Sequence, residues 1–301
     1  MRPFGVENPD SLRPAPAAFV EAVACAQASA DRVLLWLLGE EIATLDWAVQ
    51  GWREVGRAQL AIEHDGGARV TWTRVRDRRS EDDEATLALA SLGHRLAQGP
   101  AEGSGRGRVV VFSGHRADAK DRPKPRFPAA QVTRVRTDIV SLLKQERALA
   151  GGRLDAIAGA ASGGDILFQE ACAALAIPST VLLALPRDRY VAESVQDGGP
   201  DWVARFNTIC ERVPPVILGS SADVPPWMSE VRGYSIWQRN NLWTLSSALA
   251  RDNTDVTLML VWDGKGEGDG PGGTADMVRL ARQRGVKVLD RIDPLNPTSG
   301  R

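Results

Sequence analysis

The sequence predicts an α/β fold: a mainly parallel β-sheet with helices on both faces, preceded by a smaller, mainly helical region with a β-hairpin. From residue 107 onward, short apolar segments alternate with helical patterns. These segments are almost continuously apolar, which is typical of strands buried on both faces of a sheet. Glycine-rich turns follow two of the segments, as expected where strands lead into helices.

The first 98 residues have a different organisation. Apolar residues recur at helical spacing over residues 15–55, and a further helix is expected near residues 84–97. Residues 99–106 are rich in Gly, Pro and Ser and predict a linker. We therefore expect residues 1–98 to form a separate region that transmits a bound state, contacts an effector protein or mediates homo-oligomer assembly.

A hairpin is predicted inside this first region. Residues 58–63 and 69–75 alternate apolar and polar side chains around a His-Asp-Gly-Gly turn at residues 64–67. Leu60 and Ile62 are expected to share a face with Val70 and Trp72.

Residues 107–293 carry the regular alternation, and residues 294–301 form a tail. Strands are predicted near residues 109–112, 154–158, 180–185, 215–218, 256–262 and 286–290. Helices are predicted near residues 129–149, 164–176, 200–212, 236–251 and 273–284. In such sheets the ligand lies beyond the carboxyl ends of the strands.

Composition narrows the functional classes. The 301-residue chain has a formal net charge of −1, with 43% hydrophobic and 25% charged residues. Near-neutral charge disfavours nucleic acid and anionic membranes as partners, and no apolar run approaches the length of a membrane span. The three cysteines are widely separated, so a reducing, cytoplasmic location is expected.

The first glycine turn is Gly159-Ala160-Ala161-Ser162-Gly163-Gly164, between a strand and a helix. Such a turn brings backbone amides close to a phosphate or ribose at a helix N-terminus, or it is simply a tight turn. Asp165, in the first helical turn, suits ribose hydroxyls or caps its own helix. For Glu170 a structural role and a site role both stay open.

Polar residues also follow the first strand of the sheet. The segment that follows its carboxyl end consists of Ser113, Gly114, His115 and Arg116. Arg116 is suited to bidentate phosphate binding. His115 is suited to donate to a ligand or to carry a proton. Arg126 precedes the next helix and is a further candidate for the same crevice.

The second glycine turn comes near the C-terminus. Gly272, Gly273 and Thr274 follow a strand and a glycine-rich loop, with Thr274 expected as the N-cap of the next helix and Asp276 in its first turn. Asn240 and Asn241, near the start of another helix, can read a base edge or ribose, or bond to backbone. Trp237 can stack on a base or simply pack in the core.

Several chemistries are disfavoured by missing motifs. The glycine spacing differs from the dinucleotide fingerprint, and no Gly-Lys-Ser/Thr of a P-loop follows. The three histidines lie far apart, so no metal site is expected, and the Gly-x-Ser-x-Gly turn of hydrolases is absent from the sequence.

Taken together, the segments VVVFSGHR, AIAGAASGGDILFQEA, WQRNN and LVWDGKGEGDGPGGTADMV resemble the SLOG superfamily of Rossmann-like domains. This superfamily includes the cytokinin-activating LOG phosphoribohydrolases, the DNA-processing DprA proteins and nucleotide-sensing domains of bacterial signalling and conflict systems. The resemblance covers roughly residues 107–292 and is closest to the sensor domains. It implies a Rossmann-like sheet that binds a nucleotide or NAD derivative as ligand, with no further cofactor required.

The LOG motifs are altered in this chain. In LOG enzymes a Pro-Gly-Gly-x-Gly-Thr-x-x-Glu motif supplies the acidic residue that helps to break an N-glycosidic bond. Here Gly273 passes directly to Thr274. The expected function is therefore ligand sensing in bacterial signalling or defence, with N-glycosidic-bond hydrolysis as the alternative. For hydrolysis the candidate carboxylates are Asp276, Asp165 and Glu170, in that order, because an oxocarbenium-like state needs a nearby negative charge.

The predicted ligand-binding set combines the two glycine turns, the mouth of the first strand and the paired amides. It consists of Ser113, Gly114, His115, Arg116, Gly159, Ser162, Gly163, Gly164, Asp165, Asn240, Asn241, Gly272, Gly273 and Thr274.

Overall fold

The structure is a computed structural model that describes residues 107–218, 224–229, 231–251, 255–265 and 270–296. It also describes two strands at residues 58–64 and 68–74 and ten residues between 18 and 41. The chain divides into two compact units. One comprises residues 1–99 with 224–234, and the other comprises residues 100–223 with 235–301.

The first unit contains the predicted hairpin. Strands β1 (Ala58–His64) and β2 (Ala68–Arg74) pair antiparallel. Leu60 pairs with Trp72 and Ile62 with Val70, so the predicted register is confirmed. The ten described residues between 18 and 41 are helical, in line with the prediction for 15–55. The helix expected at 84–97 and the linker at 99–106 lie outside the described residues.

A short later segment belongs to the first unit. The Trp227 indole donates a hydrogen bond to buried Glu41 at 2.9 Å, and the Phe19 ring meets the Trp227 ring edge-on with centroids 5.6 Å apart. The alternation of strand and helix patterns in the sequence did not predict that residues 224–234 belong to the first unit.

The second unit is built on a six-stranded, all-parallel sheet in the order β6-β5-β4-β3-β7-β8. This sheet with its helices confirms the predicted α/β, Rossmann-like fold. The strands are β3 (Arg108–Gly114), β4 (Leu154–Ala158), β5 (Ser179–Leu183), β6 (Val216–Ile217), β7 (Asp255–Val261) and β8 (Lys287–Val288).

Helices connect the strands and form two groups. They are α1 (Val132–Leu149), α2 (Gly164–Ala174), α3 (Arg187–Ser194), α4 (Pro200–Arg212), α5 (Ile236–Leu249) and α6 (Thr274–Gln283). Helix α2 packs against both α1 and α4, whereas α5 packs against α6, β3 and β4. Because parallel crossovers are right-handed, reversing the direction of strand addition puts the second group on the opposite face.

The central strands are buried on both sides. In β3, Val110 and Phe112 belong to the core under α1 and α2, whereas Val109 and Val111 lie on the other face. All four are at most 2% exposed. Because side chains alternate across a strand, only an unbroken apolar segment can satisfy both faces at once.

Three element predictions needed correction. Helix α3 was not predicted, although Pro186 precedes it and Asp188 lies in its first turn, two ordinary signals of a helix start. Strands β6 and β8 have only two residues each, shorter than their predicted segments. Both lie at sheet edges, where a strand has only one neighbour to extend its pairing.

Strand order fixes where a crevice can form. The chain leaves β3 toward β4 on one side, and later returns to pair β7 along the other side of β3. Connections from this point run over opposite faces, which leaves a gap at the carboxyl ends of β3 and β7. Among the described residues, no helix is both long and apolar enough to cross a membrane.

Candidate functional site

A cavity of about 240 Å³ lies at this reversal of strand order. Its floor comes from the ends of β3 and β4, and its walls come from α3, α5 and the turn that starts α6. Predicted residues that line it are Ser113, Gly114, His115, Arg116, Gly159, Asp165, Asn240, Asn241, Gly272, Gly273 and Thr274. The fold thus brings four distant sequence segments to one cavity.

Three predicted residues of the first glycine turn do not line the cavity: Ser162, Gly163 and Gly164. The Gly164 amide donates to the His115 carbonyl at 3.0 Å, and the Ser162 amide donates to the Ser194 carbonyl at 2.9 Å. These amides are therefore engaged within the protein, which corrects the expectation that Gly164 holds a phosphate.

Gly163 explains why this turn needs glycine. Its φ is +91°, and a Cβ there would lie 2.4 Å from the Ala117 nitrogen. The conformation and the close approach each exclude a side chain. The glycine packs two backbone segments together, so the tight-turn reading applies to this position.

His115 is buried and holds two loops together. One ring nitrogen, Nδ1, lies 2.7 Å from Arg126 Nη2, and Nε2 lies 3.1 Å from Asp263 Oδ1. Because arginine can only donate, Nδ1 accepts and Nε2–H donates to the carboxylate. Burial alone would raise the pKa of Asp263, but hydrogen bonds from the Lys265 amide and from His115, with the charge of Arg126, lower it overall.

This arrangement changes the predicted roles of two residues. His115 lines the cavity with its ring engaged by Arg126 and Asp263, so it positions the loop rather than carrying a proton to a ligand. Arg126 does not line the cavity. Its backbone amide donates to the Asp118 carboxylate at 2.8 Å. This bond ties the end of the loop that follows β3 back to its beginning.

Arg116 lies at the cavity wall with its side chain 32% exposed. Its guanidinium donates to the Glu193 carbonyl at 2.7 Å and pairs with Asp197 at 3.1 Å. The same nitrogen, Nη1, makes both contacts. A guanidinium offers five N–H donors, so this geometry is compatible with a further bond to an anionic ligand.

The second glycine turn is held by α5. Gly272 has a φ of +94°, and a Cβ there would lie 2.3 Å from Trp237 Cβ. The buried Asn241 side chain donates to the Gly272 carbonyl at 3.0 Å, and Ser235 Oγ donates to the Pro271 carbonyl at 3.2 Å. Asn241 therefore positions the turn, which is the backbone-bonding alternative of its prediction.

The start of α6 opens onto this cavity. Gly273, not Thr274, is its N-cap, and no described side chain caps it, which corrects the prediction for Thr274. Thr274 is instead the first helical residue and lines the cavity. The first amides of a helix have no partner within the helix and carry partial positive charge, so this end suits an anion better than the start of α2.

Two of the three candidate catalytic carboxylates lie away from the cavity lining. Asp276 pairs with Arg279 and accepts weakly from Asn241. Glu170 accepts two bonds from Arg205, at 2.8 and 2.7 Å. Each carboxylate is thus held in an ion pair, and of the three candidates Asp165 is the one that lines the cavity; the order of the catalytic candidates stays a prediction.

Asp165 lines the cavity beside Tyr190. A Cβ on Gly159 would lie 2.7 Å from Asp165 Oδ2 and 2.9 Å from the Tyr190 hydroxyl, so both groups converge on the same point. Burial raises the pKa of Asp165 to about 7, opposed by a hydrogen bond from the Ala161 amide. Burial, and then the charge of Asp165, raise the pKa of Tyr190. Near neutral pH this carboxyl can therefore give or take a proton.

The α5 wall carries an aromatic ring and an unsatisfied amide. Trp237 and Asn240 both line the cavity, and their spacing of three puts them side by side on one helix face. The Asn240 Oδ1 atom is buried and has no hydrogen-bond donor among the described residues. A buried acceptor without a partner is costly; because this oxygen has almost no accessible surface, it is not a contact point for a ligand in the cavity.

Sequence reasoning missed the contribution of α3. Tyr190, Glu193 and Ser194 line the cavity, and all three come from the helix that was not predicted. An apolar Tyr190 and a small Ser194 four residues apart mark one face of a helix; that was the available signal. Other lining residues outside the predicted set are Phe112, Ala161, Trp237, Thr244, Pro271 and Met277.

Within the part of the chain that is described, no group of three or more His, Cys, Asp or Glu side chains is placed to hold a metal ion. The sequence matches no protein-family model and no curated protein.

Proposed function

We propose that the second unit is a SLOG-type domain that binds a nucleotide or NAD-derived small molecule in the cavity at the strand reversal. The observation that carries the proposal is the lining of that cavity, in which Trp237 and Asn240 of α5 are brought together with Arg116 and the start of α6. An aromatic face with a polar anchor beside it suits a heterocyclic base. A role of residues 1–98 in signalling or assembly stays a prediction.

The remaining walls suit the other parts of a nucleotide. The start of α6 at Thr274 offers the Thr274 amide and a positive dipole end to a phosphate, whereas the Gly273 amide donates to the Gly270 carbonyl. Arg116 adds a cation. Asp165 offers carboxyl oxygens to ribose hydroxyls. Phosphate recognition is thereby assigned to the second glycine turn, with ribose recognition at the end of β4.

Calorimetric titration with AMP, ADP-ribose and NAD tests this function. We expect at least one of them to bind, and Arg116→Gln to weaken that binding about tenfold because a charge-assisted bond is lost. Arg189→Gln is the matched control, since Arg189 pairs with Glu193 on α3 and does not line the cavity. Binding of none of the three at millimolar concentration would refute the proposal.

Hydrolysis of the N-glycosidic bond is the second candidate, favoured by the raised pKa of Asp165. In this reaction the bond from C1′ to the base nitrogen breaks, the carboxylic acid gives its proton to the departing base, and water adds to C1′ while its proton returns to the carboxylate. Mass spectrometry of released base tests it. Asp165→Asn should abolish release and Asp276→Asn should leave it within threefold; the reverse pattern would remove Asp165 from this role.

A further inference from the structure

We propose that Asp197 limits the affinity of the cavity for phosphate-carrying ligands, because it competes with the phosphate for the charge of Arg116. The inference rests on the proposed function, since it adds a specificity-determining residue to that site. Asp197 does not line the cavity. It acts through its ion pair with Arg116, in which Arg116 Nη1 lies 3.1 Å from Asp197 Oδ2.

Arg116 is the residue on which anion binding in the cavity depends most. Among the described residues that line the cavity, it is the one arginine or lysine. His115 also lines the cavity, but its ring is bonded to Arg126 and Asp263. A phosphate monoester carries a charge of about −1.5 to −2 at neutral pH and binds most strongly to a guanidinium. Whatever neutralises Arg116 therefore weakens the attraction for a phosphate.

The backbone of α3 holds the Arg116 guanidinium in place. Nη1 donates to the Glu193 carbonyl at 2.7 Å, and the next carbonyl, that of Ser194, accepts from the Ser162 amide at 2.9 Å. Asp197 meets the same nitrogen at a longer distance, through a side chain that is 43% exposed. We assign the position of the guanidinium to the Glu193 carbonyl and its partial neutralisation to Asp197.

The other carboxylates on this side of the cavity are paired elsewhere. The Glu193 carboxylate pairs with Arg189 at 2.8 Å on the outside of α3. Within the described part of the chain, Asp197 is the carboxylate that forms an ion pair with Arg116. A ligand phosphate must share Arg116 with Asp197 or displace it, whereas an uncharged ligand does neither. The effect of Asp197 should therefore depend on the charge of the ligand.

Calorimetry on the full chain with AMP and adenosine tests this dependence, because the two ligands differ only in the phosphate. Asp197→Asn removes the charge and keeps the shape and an acceptor oxygen. At low salt, where exposed charges are least screened, we expect it to bind AMP about three- to fivefold more tightly than the wild type, in keeping with the modest strength of exposed ion pairs. Adenosine affinity should not change. ADP-ribose replaces AMP if only the longer ligand binds.

Two further variants show whether the effect passes through Arg116. Asp201→Asn is the matched control: it removes the same charge from a more exposed carboxylate that pairs with Arg205 and does not line the cavity, so AMP affinity should stay unchanged. In an Arg116→Gln background, Asp197→Asn should have no effect, because the charge that the two anions compete for is gone.

The outcomes separate the inference from the proposed function. If neither the wild type nor Asp197→Asn binds AMP, ADP-ribose or NAD, the proposed function fails and the inference fails with it. If one of them binds but Asp197→Asn leaves its affinity unchanged or lowers it, the function stands and the inference is overturned. An equal gain for adenosine, for Asp201→Asn or in the Arg116→Gln background also overturns it, because the effect would then not pass through this ion pair.

Discussion

At the scale of single residues, burial and nearby charges distinguish the acidic side chain that lines the cavity from the two that do not. The Asp165 carboxyl and the Tyr190 hydroxyl converge beside Gly159, and burial raises the pKa of both. Asp276 and Glu170 are instead neutralised by arginines. Residue type alone does not separate these carboxylates; their surroundings do.

Asp165 should make stability depend on pH. Its pKa rises from 3.8 to about 7 on folding, so the folded state holds this proton more tightly and the stabilisation is lost as pH rises from about 4 to about 7. We expect the free energy of unfolding of the wild type, minus that of Asp165→Asn, to fall by at least about 1.4 kcal/mol across this window. Urea titrations at several pH values measure it; a difference that stays constant or rises would contradict the shift.

Gly163→Ala should destabilise the protein by at least about 2 kcal/mol, because a Cβ strains the backbone and collides with the Ala117 amide. Gly151→Ala is the control. Gly151 also has a positive φ, +58°, but nothing lies within 4 Å of its Cβ position, so its cost should stay near 1 kcal/mol. Equal losses in denaturant unfolding would show that conformation alone, without crowding, sets the requirement for glycine.

At the scale of elements, the two glycine turns resemble each other in sequence but perform different tasks. The turn before α2 is bonded to the loop after β3, through Gly164 to His115 and Ala117 to Ser162. The turn before α6 is held from α5 by Asn241 and leaves the helix start uncapped. One turn fastens the floor of the cavity, and the other presents amides to its interior.

Asn241→Leu should therefore loosen the second turn. It leaves the carbonyl of half-buried Gly272 without its side-chain donor, for an expected loss of about 1–3 kcal/mol in the free energy of unfolding. Binding of any nucleotide phosphate should weaken in parallel. Asn207→Leu, which removes a half-buried acceptor for Arg187 away from the cavity, should cost less than 1 kcal/mol and leave binding unchanged; the opposite ranking would remove Asn241 from the turn.

At the scale of the second unit, stability is expected to decline from the centre of the sheet to its edges. β3 pairs on both sides and its central residues are buried, whereas β6 pairs on one side and its Val216 and Ile217 are half exposed. The strands that form the floor of the cavity are thus the best protected, which gives the site a rigid base.

Hydrogen exchange measured by mass spectrometry should show this gradient. Amides of residues 109–112 in β3 should exchange slowest, and those of 216–217 in β6 should exchange orders of magnitude faster, because local opening exposes edge strands first. Adding a bound nucleotide should protect peptides around residues 115–116 and 271–274 and leave β6 unchanged. Uniform exchange across the sheet would contradict the gradient.

The sequence by itself determined the α/β class, the parallel sheet, the hairpin register and most of the segments that meet at the cavity. These features follow from local patterns: continuous apolar strands, helical spacing and glycine turns that recur whatever lies elsewhere in the chain. Ser113, Gly114, Arg116, Asn240 and Gly272 could be selected because they follow strand ends or open helices. The short α3 was missed because its eight residues offer little periodicity.

Only the tertiary structure decided which of those residues bond to other parts of the protein and which line the cavity. Gly164, His115 and Asn241 bond to partners that are distant in sequence, and Asp276 and Glu170 meet arginines that neutralise them. Among the described residues Asn240 Oδ1 has no hydrogen-bond partner, and burial raises the pKa of Asp165 to about 7. Hydrogen-bond satisfaction and burial depend on what the whole fold brings near an atom, and a local sequence pattern does not contain that information.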